Sequence, residues 1–189
     1  MKAQEKSYFE SFREVAKAVN STLDLKEVLN LLVSNVTQAM DLKSCIIRLL
    51  HPKKRTLEVV ASHRLSKKFL NKGPVDADKS ISDVLEGKTV SIHNAPEDPR
   101  VQYPREIAEE GIASILSVPL SLKGRVIGVM RLFTSEPREF SEEQINSAEA
   151  MAEMGAIAIE NARMHERIKH DYEAVMEDVY SFVGYRRSL

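Results

Sequence analysis

The stretch that decides the fold spans residues 111–133 and reads GIASILSVPLSLKGRVIGVMRLF. Its two apolar runs, 114–122 and 126–133, flank the dipeptide Lys123-Gly124. Apolar runs of this length bounded by turn residues are typical of strands, and a short glycine-containing turn joins two such strands into a hairpin. The stretch therefore predicts two adjacent antiparallel strands at the centre of a sheet.

Shorter apolar runs upstream predict the remaining strands. Residues 45–50 and 57–62 flank a turn-like segment at 51–54 and indicate a second hairpin, and residues 89–92 indicate a brief strand. The polar stretch 66–78, which contains Gly73-Pro74, predicts a loop. Residues 81–85 predict a short helix that ends at Gly87.

Helical periodicity marks both ends of the chain. An apolar stripe over residues 8–19 predicts a first helix, and Asp24 is the expected N-cap of a second. A small helix is expected over residues 105–110. Ser141 is the expected N-cap of a long final helix, whose first turn carries Glu142 and Glu143.

This order of elements predicts an α+β fold, with a central antiparallel sheet and the N- and C-terminal helices on one face. Pro96, Pro99 and Pro104 fall within nine residues and exclude a regular helix or a central strand there. We name residues 93–103 the cover. Together with a short helix, the cover is expected to lie over the other face or an edge of the sheet, where it could roof a cavity.

Composition excludes several classes of function. The chain has 189 residues, 43% of them hydrophobic and 29% charged, with a formal net charge of −1. It therefore has no global field that favours nucleic acid or an anionic membrane. No apolar run approaches the roughly 18–20 residues needed to cross a bilayer, and the first residues lack the apolar stretch of a signal peptide. A single cysteine excludes an intrachain disulfide and a multi-cysteine metal site. We expect a cytoplasmic protein without nucleic-acid or membrane partners.

The central hairpin resembles the signature of GAF domains. Further motifs follow in the family's order: the apolar strand at 45–50, then Asp98-Pro99-Arg100 with Tyr103-Pro104, then residues 156–163 of the last helix. The proline-containing motif resembles the segment that covers the pocket in GAF domains of bacterial sensor kinases. The resemblance implies an N-terminal helical arm at 1–22, a GAF domain at 23–164 and a coiled-coil-like extension at 165–189.

The family's subgroups differ in ligand and chemistry. We cannot place the dispersed Asn-Lys-Phe-Asp-Glu set of cyclic-nucleotide-binding members. Bilin-binding members attach their chromophore through a late cysteine beside a histidine, whereas Cys45 lies early in an apolar strand and is expected to be buried. Family members that reduce methionine sulfoxide need several cysteines. The resemblance therefore implies a signalling module and not an enzyme, and its ligand stays unknown.

Histidine spacing does not favour haem or a metal. His165 and His170 are five residues apart on the last helix, which does not stack two ligands on one face. His93 differs because it opens the cover near Asp98 and Arg100. It is either a group that lines the pocket or a solvated loop histidine.

Arg48 and Arg131 lie inside apolar strands, where an unpaired cation is costly. If both face a cavity, a guanidinium could hold a carboxylate or phosphate through two hydrogen bonds. Alternatively, each arginine lies on an edge strand and reaches solvent, or pairs with Asp98 or Glu58. The pattern leaves both interpretations open.

The leading hypothesis is a regulatory sensor that binds a small molecule between the sheet and the cover and biases a pair of helices. The alternative is a ligand-free GAF fold that serves as a dimerisation spacer. The candidate ligand-binding residues come from the cover and the sheet: His93, Asp98, Arg100, Tyr103, Ser117 and Arg131.

The last helix predicts dimerisation. Apolar residues follow three–four spacing over more than four heptads, past the end of the family resemblance at residue 164. We expect a homodimer formed by the first and last helices, with a kinase or another effector as output partner. The predicted seam comprises Met151, Met154, Ala158, Asn161, His165, Ile168, Tyr172, Val175, Val179 and Phe182.

Overall fold

A computed structural model describes residues 2–22, 24–51 and 53–186. Outside the described residues lie residue 1 of the predicted arm, residue 23 at the predicted domain boundary, residue 52 of the predicted turn and residues 187–189 of the predicted extension. The helices are α1 (Lys2–Ser21), α2 (Leu25–Ala39), α3 (Lys67–Leu70), α4 (Ala77–Ser80), α5 (Ser82–Leu85), α6 (Pro104–Glu109) and α7 (Glu142–Arg186). The strands are β1 (Ser44–Leu50), β2 (Thr56–His63), β3 (Val75–Asp76), β4 (Val90–Ile92), β5 (Ser114–Leu122) and β6 (Arg125–Thr134).

The six strands form one sheet in the order β3-β2-β1-β6-β5-β4, with every neighbouring pair antiparallel. The hairpin of β5 and β6 turns at Lys123 and Gly124, both with positive φ. Positive φ at both loop residues is what a tight two-residue hairpin turn requires. The predicted central hairpin and the α+β fold are confirmed.

The sheet separates two packed layers. Because side chains alternate along a strand, Cys45, Ile47 and Met130 point to one face and join the main core with α1, α2 and α7. Ile46 and Phe133 point to the opposite face, where α3, α6 and the cover pack. The central strands contact both layers, so a displacement of these strands is felt on both faces.

Two helix starts match the predicted caps. The Asp24 carboxylate accepts a hydrogen bond from the Glu27 N–H at 3.1 Å. Ser141 and Gln144 form a reciprocal pair: the Ser141 hydroxyl accepts from the Gln144 N–H at 3.3 Å, and the Gln144 amide oxygen accepts from the Ser141 N–H at 3.1 Å. Such reciprocal caps satisfy donors that the first helical turn leaves open.

The prediction of a loop over residues 66–78 is wrong. Ser66 caps α3 by accepting from the Phe69 N–H at 3.1 Å, and Phe69 is buried. Further along, β3 pairs with β2 through Thr56–Asp76 and Leu57–Val75. A four-residue helix and a two-residue strand are too short to produce a periodic pattern, so tertiary packing determines them.

Helix α7 is 45 residues long and changes environment along its length. Met151, Met154 and Ala158 are buried against the domain, while Ile168 and Tyr172 are 64% and 65% exposed. The first part of the predicted seam thus packs within the chain, and the part beyond residue 164 faces outward. The side chains of Val179 and Phe182, also placed in that seam, lie outside the described residues.

Candidate functional site

A cavity lies between the sheet and the segments that pack over it; we call it the sheet cavity. It has a volume of about 30 Å³, counted as room for the centres of water-sized molecules. A single water needs roughly 10–15 Å³ on that measure, so the space suits a group of a few heavy atoms. The lining residues are Ile46, Arg48, Phe69, Lys72, Val75, Val101, Gln102, Tyr103, Ile107, Ile115, Arg131 and Phe133.

The walls of the sheet cavity are mainly apolar. Phe69 and Phe133 meet edge to face, with ring centroids 6.0 Å apart and planes at 82°. Both rings belong to the cluster that fills the space beneath the cover. Isolated polar groups in such walls are desolvated, which strengthens their interaction with any ligand that enters.

Arg48 and Arg131 enter the sheet cavity from the two central strands. Ile46 lies opposite Arg131 in the β1–β6 pair, and Arg48 lies opposite Val129 two residues further along. Opposed residues share a face, and so do residues two apart on one strand. Both guanidinium groups therefore project from the same face, diagonally across from each other.

Arg48 is 4% exposed and only partly satisfied. Its Nη1 donates to the carbonyl oxygen of Leu57 at 3.1 Å. Its Nη2 is buried and, within the described residues, has no hydrogen-bond partner. A buried donor without a partner loses its hydration without compensation, so Arg48 presents an open hydrogen-bonding site to the cavity.

Lys72 adds a third cation. Its Nζ lies 3.6 Å from the centroid of the Phe69 ring and donates to the Phe69 carbonyl oxygen at 3.1 Å. Burial, and then the charges of Arg48 and Arg131, lower the pKa of Lys72 to about 7. Burial likewise lowers the pKa values of Arg48 and Arg131 to about 10 each, so both arginines are charged at neutral pH.

The end of the cover is tied to Pro74 and to β3. The Tyr103 hydroxyl donates to the Pro74 carbonyl oxygen at 2.7 Å, and the Gln102 side-chain oxygen accepts from the Asp76 N–H at 3.0 Å. Gly73 has a φ of 123°, and a Cβ there would lie 2.9 Å from the Tyr103 hydroxyl oxygen. A side chain at position 73 would therefore push Tyr103 out of place.

Two of the predicted site residues, Tyr103 and Arg131, line the sheet cavity. Ser117 is buried directly opposite Arg131 in the β5–β6 pair, beside the cavity but outside its lining. It shares the cover face of the sheet with Arg131.

The other three predicted residues lie away from the cavity lining. His93 has an exposed side chain, and its carbonyl oxygen accepts from the Ser114 hydroxyl at 2.6 Å. Asp98 and Arg100 bind each other through two side-chain hydrogen bonds of 2.6 and 2.9 Å. This hydrogen bonding lowers the pKa of Asp98 and raises that of Arg100. The pair stabilises the cover's own turn.

The two interpretations left open for Arg48 and Arg131 are now distinguishable. Strands β1 and β6 are interior strands, so neither arginine lies on an edge. Asp98 forms an ion pair with Arg100, and the Glu58 side chain is exposed. The sequence pattern contained no sign of Lys72 or Phe69, because their part in the site depends on α3.

A second cavity, the helix groove, lies on the opposite side of the sheet and has a volume of about 220 Å³. It opens between α1, α2 and α7 and is almost entirely apolar. Phe9 and Phe12 at its rim are 67% and 40% exposed. Its lining residues are Tyr8, Phe9, Phe12, Val36, Ala39, Met40, Ser147, Ala150 and Met151.

Other kinds of site have little support in the described part of the chain. It contains no cluster of three or more His, Cys, Asp or Glu side chains that could hold a metal ion. None of its helices combines the length and hydropathy needed to cross a bilayer. Cys45 is fully buried, and burial raises the pKa of its thiol, which keeps it protonated.

Comparison with known proteins places these features in context. The GAF domain family model matches residues 22–160, nearly three quarters of the chain. In structure, the chain is similar to the GAF domain of a phosphoenolpyruvate-protein phosphotransferase from Coxiella burnetii, with a TM-score of 0.75 and 20% identity. That match covers 86% of this chain and 98% of the other.

Two curated relatives are regulatory proteins by name. The chain is 24% identical over 182 residues to the formate hydrogenlyase transcriptional activator FhlA of Escherichia coli, covering 93% of this chain and 26% of the relative. It is 28% identical over 166 residues to a methyl sulfide methyltransferase-associated sensor of Methanosarcina acetivorans, covering 84% and 17% respectively. The chain thus spans about a quarter or less of each relative's length.

Proposed function

Because this chain belongs to the GAF domain family, we propose that it is a regulatory sensor module that binds a small molecule in the sheet cavity. The module relays binding through paired helices and performs no catalysis of its own. Its relatives include a transcriptional activator and a sensor, which supports a regulatory role. A kinase or another effector receives the signal, in the cytoplasm.

The observation that carries this proposal is the open donor of Arg48 in a cavity with apolar walls. Arg48 Nη2 is buried without a partner in the described part of the chain, and Tyr103 and Gln102 close the space above it. Ligand sites combine apolar walls with a few convergent polar groups. A ligand that accepts a hydrogen bond from Arg48 Nη2 compensates for the burial of this donor.

The sheet offers a physical route from ligand to helices. Arg48 and Arg131 project into the sheet cavity, while their chain neighbours Ile47 and Met130 are packed in the core under α2 and α7. A ligand that draws β1 and β6 together therefore changes the surface on which these helices rest. Such coupling requires that the ligand bind one helix arrangement more tightly than the other.

The helices provide the surface for a second copy of the chain. Ile168, Tyr172 and Val175 are each at least 60% exposed beyond the domain. The helix groove and the rings of Phe9 and Phe12 add apolar surface at the near end of the same layer. Large exposed apolar surface marks an interface, and we propose that a homodimer covers these two parts of the helical layer.

The sensor proposal is tested by a thermal-shift screen of the purified chain against amino acids, nitrate, small carboxylates, cyclic nucleotides, haem and bilins. A ligand at 100 times its Kd adds about 2.7 kcal/mol to the free energy of unfolding. We expect Arg131→Gln to abolish the shift and Arg100→Gln, in the locally paired turn of the cover, to preserve it.

If no class of compound shifts the melting temperature while the chain remains a stable dimer, the sensor proposal fails. The ligand-free dimerisation spacer would then replace it. A shift that Arg131→Gln leaves intact would move the ligand to another place on the domain.

A further inference from the structure

Resting on the proposed sensor function, we propose that the ligand of the sheet cavity is a small oxyanion, such as a short carboxylate or an inorganic anion of similar size. The anion accepts hydrogen bonds from the guanidinium of Arg48. Arg131 and Lys72 neutralise its charge from the neighbouring walls. A neutral molecule of the same shape binds more weakly, because it leaves the buried charge of Arg48 without a counter-charge.

The charge of the sheet cavity favours an anion. Arg48, Lys72 and Arg131 line it together, and among its described lining residues there is no Asp or Glu. Like charges in a space of low dielectric repel strongly, and burial removes the water that would screen them. An anion in the cavity converts this repulsion into attraction.

Carboxylates do lie near Lys72, but outside the cavity. Glu106 and Glu110 on the side of α6 raise its pKa by less than burial and the two arginines lower it. The Glu110 carboxylate accepts a hydrogen bond from the Ser66 N–H at 2.9 Å. Neither Glu106 nor Glu110 lines the cavity, so a ligand that carries a negative charge can still offset the charge of Lys72 there.

The geometry of Arg48 favours a ligand with planar oxygens. Its Nη1 is held by the Leu57 carbonyl oxygen, which fixes the plane of the guanidinium and leaves Nη2 open. A fixed guanidinium edge matches the planar oxygens of a carboxylate or nitrate better than a rotating ammonium does. Arg48 is 4% exposed, so the open donor belongs to a built site and not to the surface.

The size of the sheet cavity favours a small ligand. A cavity of about 30 Å³ holds about two or three water-sized centres. Acetate, nitrate and phosphate are on this scale, whereas a nucleotide is not, unless the cover moves away. The aromatic contact between Phe69 and Phe133 closes the apolar side of the space, so the site selects compact ligands.

The test compares charged and neutral probes on the full chain. Thermal unfolding and titration calorimetry are run with sodium acetate, sodium nitrate and sodium phosphate, and with acetamide as the uncharged analogue of acetate. The sodium salt of a bulky sulfonate keeps ionic strength constant. We expect at least one anion to raise the unfolding midpoint saturably and acetamide to leave it unchanged.

Two arginine variants make the assignment specific. Arg48→Gln is expected to weaken binding of the effective anion at least tenfold. Arg125→Gln, an exposed arginine on β6, is expected to bind like the parent. If Arg48→Gln fails to fold, Lys72→Gln takes its place and is expected to raise the Kd at least threefold.

The outcomes separate this inference from the proposed function. Binding of acetamide as tight as that of acetate, or an unchanged response in Arg48→Gln, overturns the anion inference and leaves a small-molecule sensor standing. The same holds if only a neutral compound from the wider screen binds. If neither the anions nor the wider screen gives a saturable response, both fail.

Discussion

The hydroxyl of Tyr103 lies 2.7 Å from the carbonyl oxygen of Pro74, and this bond joins the end of the cover to the residues that lead into β3. Tyr103 also lines the sheet cavity, with Lys72 Nζ 5.9 Å from the centroid of its ring. One side chain therefore contributes to both the wall of the site and the closure above it.

Tyr103→Phe should loosen that closure. The variant keeps the ring but loses the hydrogen bond to Pro74, which lowers the free energy of unfolding by about 0.5–1.5 kcal/mol. We expect faster hydrogen exchange at residues 101–103 and at Asp76, measured by mass spectrometry, and a weaker ligand response. Tyr172→Phe, on the exposed part of α7, is the matched control and should leave both unchanged.

Lys72 predicts a dependence of ligand affinity on pH. Its pKa in the ligand-free chain is about 7, and a bound anion stabilises the ammonium form. Above pH 7, binding must therefore take up a proton, and affinity should fall by up to about tenfold per pH unit as pH rises. Calorimetry in two buffers of different ionisation enthalpy measures this uptake directly. In Lys72→Gln the uptake should vanish.

Lys72 also makes the free energy of unfolding depend on pH. This free energy rises with pH, whereas ligand affinity falls. The pKa of Lys72 in the fold lies below its ordinary value, so between about pH 7 and 10.5 the unfolded chain binds more protons than the folded chain. The contribution of Lys72 to the free energy of unfolding therefore rises with pH through this window. Below pH 7 it is constant, because the lysine is charged in both states. A Lys72→Gln variant that keeps the parent's slope would contradict this.

Gly128 and Gly155 should respond differently to alanine. A Cβ at Gly128 would clash with the backbone oxygen of Arg48, whereas one at Gly155 would meet the tips of Leu32, Leu120 and Leu29 at 3.2, 3.3 and 3.9 Å. Leucine tips can shift, but a strand backbone cannot shift without breaking its ladder. We expect Gly128→Ala to destabilise by about 1–3 kcal/mol, measured by chemical denaturation.

Gly155→Ala serves as the comparison. Alanine favours the helix by up to about 1 kcal/mol relative to glycine, which offsets the tight contacts. Its free energy of unfolding should stay closer to the parent's than that of Gly128→Ala. If Gly155→Ala lowered the free energy of unfolding more than Gly128→Ala, the β1–β6 pair would accommodate an added Cβ more easily than the packing around α7.

Substitutions on the exposed part of α7 should change the oligomeric mass of the protein in solution. In a homodimer, Ile168 and Tyr172 become buried, so the double variant Ile168→Glu/Tyr172→Glu should sediment as a monomer while its domain keeps its fold. Arg167→Glu changes the charge at a neighbouring exposed position and should remain dimeric. A parent chain with monomer mass at every concentration would overturn the dimer proposal.

The sheet and the long helices were predictable because each depends on a repeated local signal. Apolar runs on either side of Lys123-Gly124 predicted the central hairpin, and Asp24 and Ser141 marked helix starts by side-chain capping. These signals depend on residues a few positions apart, so sequence order alone is sufficient. Arg48 and Arg131 were also noticeable, as charges inside apolar strands.

The composition of the cavity wall was not predictable in the same way. Lys72 reaches the arginines only because α3 and β3 fold the segment back over the sheet, and neither element has a repeat to detect. Conversely, Asp98 and Arg100 are close to Tyr103 in sequence but satisfy each other across one turn. Short-range ion pairing competes with ligand binding, and sequence proximity does not show which wins.

The length of α7 has a mechanical consequence. Residues 165–186 continue the helix beyond the domain, and at a rise of about 1.5 Å per residue they form a lever arm of roughly 33 Å. With that geometry, a tilt of about 5° where the helix leaves the domain displaces its far end by about 3 Å. A movement too small to disrupt the packing of Met151 and Met154 is thus amplified into a displacement that a neighbouring protein can detect.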